Sequence, residues 1–207
     1  MTKEMISRRR FIEGGVVYGG ALWWTLNLPR PRAAAAAQET EKRSTFSEAE
    51  WKTVEAVCGR IIPLDADPGA VEAGCVNFID KALANEDAAL APVYSPCLAA
   101  LEAVSQRRYK KPFPAIGPAS QDALLMTLQD GQAPEWQEAS MSASAFFETL
   151  RAHTLIGFLA DPRHGGNRDF IGWKLVGYPG PRHHAGGYTP EQMNGTAPIV
   201  AVWGKEV

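Results

Sequence analysis

Residues 144–159 read SAFFETLRAHTLIGFL, and their spacing is that of a helix. Phe146, Leu150, His153 and Gly157 recur every three or four positions, which an α-helix turns onto one face. Phe147 and Phe158 lie beside that stripe. A strand would need alternation with a period of two, and none persists here. The stretch predicts a long helix with one buried side.

The same period runs through the residues upstream. In SEAEWKTVEAVCGRII, residues 47–62, Ser47 and Glu50 have the form of a capping box. Trp51, Val54, Val57, Cys58, Ile61 and Ile62 follow at helical spacing, and Pro63 stops the run before the turn LDADPGA. A second helix is expected from Val71 to about Asn85, with Val76, Ile79 and Leu83 inward. Ser95-Pro96 opens a third, carrying Leu98, Leu101 and Val104. Its basic end, Arg107, Arg108, Lys110 and Lys111, suits the negative pole of a helix and reads as a solvated terminus. Pro118 or Ser120 begins a fourth, with Leu124, Leu125 and Leu128, which Gly131 closes. Strand-like alternation is confined to APIVAVW at residues 197–203. The expected fold class is all-α, a single domain of about five helices over residues 38–160 with Trp51, Val57, Ile61, Leu150 and Phe158 in its core.

Residues 38–45 are polar and read as a flexible tether. Before them, residues 1–37 hold the three parts of an export signal in order. Arg8, Arg9 and Arg10 form a charged start, Gly14–Leu28 an apolar run, and Ala33–Ala37 a small-residue cleavage zone. The apolar run is about 15 residues, short of the ~18–20 that span a bilayer, although a permanent anchor is the alternative. Arg8, Arg9 and Phe11 resemble the twin-arginine export signal, with Glu13 where lysine is common. That resemblance implies export of an already folded protein from a bacterial or archaeal cell.

Without residues 1–37 the chain loses six of its 21 Lys+Arg and two of its 23 Asp+Glu, leaving a body near −6. So acidic a body lacks the basic field that nucleic acid requires. The three cysteines, Cys58, Cys75 and Cys97, show no Cys-x-x-Cys spacing, which argues against a zinc or iron–sulfur site. An odd count in an exported chain leaves a buried thiol or a bond to another chain. Cys58 falls on a helical stripe and reads as buried; Cys75 and Cys97 are the candidates for an inter-chain disulfide.

After residue 160 the texture changes. DPRHGGNRDFIGWKLVGYPGP, residues 161–181, mixes glycines, arginines and aromatics, and an irregular Gly/Pro/aromatic-rich tail is expected over 161–207. It is too aromatic to be disordered by composition, so it packs on the helical body or on a second chain. His164 with Asp169 and Arg168 is the one group here that suggests a hydrolase-like enzyme, but no serine or cysteine lies among them. His183 and His184 are adjacent and diverge on a regular element, and His153 reads as a hydrogen-bonded core residue. A phosphate cradle needs glycines between strand and helix, and here they follow a helix. Arg163 and Arg168 serve an anion or a protein interface equally well.

This segment resembles the gluconate 2-dehydrogenase subunit 3 family. The matching residues are Asp161, Pro162, Gly165, Gly166 and Asn167, then Gly172, Trp173, Gly177, Tyr178, Pro179 and Gly180, with His164 where tyrosine is frequent. The resemblance implies a non-catalytic small subunit that holds no cofactor. Its implied partners are a large FAD-containing dehydrogenase subunit, a cytochrome c subunit with haem c, and the twin-arginine translocase. It implies a periplasmic place at the inner membrane, with the export signal serving both small and large subunits. Asp161, Arg163, Gly165, Gly166, Asn167, Arg168, Trp173, Tyr178 and Pro179 become the expected partner-binding set, with Trp173 and Tyr178 as aromatic anchors. A stand-alone periplasmic structural protein with an internally packed tail is the other reading.

Overall fold

The computed structural model describes residues 43–137, 140–182 and 186–202. The export-signal residues Arg8, Arg9 and Phe11, and also His183, His184 and Trp203, lie outside the described residues. Five long helices build the body: α1 Glu48–Ile61, α2 Cys75–Ala84, α3 Ala91–Tyr109, α4 Pro118–Gln129 and α5 Ala143–Leu159. Two short ones follow, α6 Ile171–Val176 and α7 Pro190–Met193, and no strand occurs among the described residues. The fold is all-α.

Helix α5 is the hub, packing against α1, α2 and α4. Its expected stripe is its buried face: Phe146 and Leu150 are fully buried, and His153, Gly157 and Phe158 are buried with them. Each such apolar side chain contributes about 1.5–3 kcal/mol through removal from water. Gly157 permits close approach, because a Cβ there would meet the Phe78 ring of α2 at 2.9 Å. On α1 both bonds of the capping box form, Ser47 N donating to Glu50 Oε2 at 2.8 Å and Glu50 N to Ser47 Oγ at 3.3 Å.

Several boundaries differ from expectation. Helix α2 begins at Cys75 rather than Val71, because residues 70–74 form turns and Gly74 takes a left-handed conformation, φ 71°. Helix α3 begins at Ala91, using Pro92 at its first turn and retaining Pro96 inside. Proline suits a first turn for want of an N–H, so Pro92 and Pro96 are equally good starts locally. Trp51 and Ile61 are only partly buried and flank the core rather than fill it. The tether expected to be flexible through Thr45 is fastened from Ser44 onward, as shown below. Cys75 and Cys97, the candidates for an inter-chain disulfide, are both fully buried in this fold. Burial also pushes the Cys75 thiol up, and the Cys58 thiol up to about 12, so neither ionises near neutral pH.

Candidate partner-binding site

Helix α5 ends at Leu159, and the last carbonyls of a helix have no partner within it. Residues 160–173 supply partners. Trp173 Nε1 donates to Leu159 O at 2.6 Å, and Asn167 Nδ2 donates to Ala160 O at 2.8 Å. Asn167 Oδ1 in turn accepts from Gly172 N at 2.8 Å, so one fully buried amide ties the end of α5 to the start of α6.

The glycines make that closeness possible. A Cβ on Gly166 would collide with the Gly157 carbonyl, and one on Gly172 with the Phe158 carbonyl. Both positions therefore exclude every side chain, for reasons of contact rather than of turn geometry. Three residues nearby take left-handed backbone without being glycine: Asn167, Asp169 and Phe170, with φ 46°, 53° and 57°. Such conformations persist only where surrounding bonds fix them. Here they turn the Phe170 ring inward to stack on Trp173, centroids 5.2 Å apart, with Tyr178 edge-on at 5.0 Å. Phe170, Trp173 and Ala201 form a small second core, with Tyr178 and Ile199 packed on it. Burial raises the Tyr178 phenol, with the Tyr188 hydroxyl adding to the effect.

The segment thus has two sides. Inward are Gly166, Asn167, Phe170, Gly172 and Trp173; outward are Arg163, His164, Arg168, Asp169 and Lys174. Trp173, expected as an anchor for a second chain, is 5% exposed and spends both its ring and its N–H inside this one. Tyr178 and Pro179 are half-buried, and Asp161 is a local cap, its Oδ1 accepting from Arg163 N at 3.0 Å and its Oδ2 from Val202 N at 2.9 Å.

On the outward side, the turn at 163–165 lies against α2. Asn77 Nδ2 donates to Gly165 O at 2.7 Å, and Arg168 N donates to Ala73 O at 3.0 Å. Phe78, Lys81, Ala82, Asn85, Glu86, Arg163 and His164 line an open groove of about 220 Å³. His164 Nδ1 faces Glu86 Oε1 at 3.9 Å, so its acidic neighbour is Glu86 rather than the Asp169 of the hydrolase reading. Among the described residues, no group of three His, Cys, Asp or Glu comes together as a metal site.

A family model for gluconate 2-dehydrogenase subunit 3 matches residues 48–180, from the start of α1 to the last glycine of the segment just described. The chain belongs to the gluconate 2-dehydrogenase subunit 3 family. The match covers all five long helices together with the elements that close α5, and it stops before α7. Membership makes the chain an accessory-type subunit of a dehydrogenase complex. No curated protein and no solved structure matches it.

Sequence reasoning missed two polar clusters of the subunit 3 body. One is the buried Asp80, on which residues 44–46 converge. The other joins three elements: the Tyr94 hydroxyl bonds His153 Nδ1, and His153 Nε2 faces Asp87 Oδ2 at 3.3 Å. His153 is the hydrogen-bonded core residue expected, and burial lowers its basicity while Asp87 partly offsets that. No short-range pattern announces either cluster, since their partners stand 34–36 and 59 positions apart.

Proposed function

We propose that this chain is the non-catalytic small subunit of a periplasmic FAD-dependent sugar or sugar-acid dehydrogenase. The observation that carries the reading is the family match over residues 48–180, which includes the whole segment that closes α5. In this reading the chain carries no cofactor of its own. The flavin resides in the large subunit and haem c in a cytochrome subunit that passes electrons onward at the inner membrane.

The same reading gives the chain two tasks. Arg8, Arg9 and Phe11 address the twin-arginine translocase, and the large subunit travels with the small one. Arg163, which lines the groove against α2, and Arg168, exposed a few residues further along the segment, supply polar contacts to the large subunit. Their exposure supports this role, as does the planar fork with which arginine grips carboxylates. Trp173 serves indirectly, by holding the turn that presents them.

The test is an export assay. In cells producing both subunits, Arg8→Lys with Arg9→Lys traps small and large subunits together in the cytoplasm. A large subunit that still reaches the periplasm at its normal level contradicts the shared-signal reading.

A further inference from the structure

Asp80 sits within α2 with 1% of its surface exposed, where an unmet carboxylate is costly. Three successive backbone N–H groups meet it. Ser44 N donates to Oδ2 at 2.6 Å, while Thr45 N and Phe46 N donate to Oδ1 at 2.9 and 2.7 Å. The Thr45 hydroxyl adds a bond to the Asp80 backbone carbonyl at 3.1 Å. Phe46 then enters the core, 5% exposed, its ring centroid 6.0 Å from that of Tyr94.

These residues precede Glu48, so their amides have no helix of their own to bond within. Carboxylate and amides satisfy one another, and bonds to an ionised acceptor are the stronger kind. The segment and α2 are therefore mutually dependent, although 34–36 positions separate the partners along the chain.

We propose that residues 44–46 are a strap seated on Asp80, and that this seat sets the limit to which proteolysis can trim the chain from its N-terminal side. Hydrolysis of a peptide bond before Ser44 leaves all three donors in place. Cleavage inside the strap strips donors from a buried carboxylate and uncovers the Phe46 site. Ser44 and Thr45 are exposed. A protease nonetheless needs several residues freed into extended form, and the three bonds to Asp80 with the buried Phe46 ring hold the strap in place. This inference concerns the body alone and stands apart from the accessory-subunit reading.

The test is thermolysin digestion of the full chain followed by intact-mass measurement, since thermolysin cuts before large apolar residues and so reads the Thr45–Phe46 bond directly. In the unaltered protein, products begin at or before Ser44 and the Thr45–Phe46 bond survives. Asp80→Asn keeps the shape, removes the charge and turns a donor toward the amides. Cleavage at that bond then runs at least about tenfold faster, as the loss of one charge-assisted bond implies. Equal rates overturn the proposal. If Asp80→Asn fails to fold, amide hydrogen exchange on the unaltered chain decides. Protection of residues 44–46 matching that of α2 sustains the strap, and exchange at open-chain rates overturns it.

Discussion

His153 shows what one residue carries that its neighbours do not. It lies on the apolar stripe of α5, bonded to Tyr94 and facing Asp87. Desolvation lowers its pKa below the ordinary value of 6.5, with Asp87 acting in the other direction. The unfolded chain therefore binds a proton more readily than the folded one as pH falls through the ordinary histidine range. Stability from the neutral form is fully present above about pH 6.5 and declines as pH drops through the lowered folded value. Unfolding midpoints in urea should thus fall between pH 7.5 and 5, and His153→Gln should flatten that part of the profile. An unchanged slope in the variant would assign the pH dependence to other groups. The stripe itself was plain in the sequence, and so was a bonded histidine on it. Its two partners were not, because Tyr94 and Asp87 come from other elements and nothing local marks them.

Among elements, the stronger the periodicity the better the boundary was legible. Helix α5 and helix α4 begin within a residue or two of expectation, since Ser142 caps one and Pro118 opens the other. Helix α2 was misjudged at its start because Gly74 bends the chain toward residues of the 161–181 segment, a contact across long sequence distance. The short helices after residue 160 hold too few turns for any stripe to show. Glycine and tryptophan there signalled close packing without saying on which side. The structure answers that the packing is onto α5, and two substitutions grade it. Leu150→Ala, fully buried on α5, should cost about 2–5 kcal/mol in denaturant unfolding. Gly172→Ala should displace α6, because its new Cβ collides with the Phe158 carbonyl, and the fluorescence of Trp173 would register the shift. An unshifted spectrum with native stability would mean that α6 does not lie against α5 as described.

For the whole molecule, a segment that looked like a surface proves to have a structural side and a solvent side. Family, helical class and the residues of the segment were all readable beforehand. Which of those residues face outward was not, since that depends on how α5 ends. Trp173 belongs to the subunit's own interior, while Arg163 and Arg168 are exposed on the other side of the segment. The direct measurement is the unfolding free energy of the isolated chain bearing Trp173→Ala, followed by equilibrium denaturation without any partner present. The expected loss is about 3 kcal/mol or more, from the buried ring and the bond to Leu159 O together. A loss below about 0.5 kcal/mol, the size of an ordinary surface change, would contradict an interior place for Trp173.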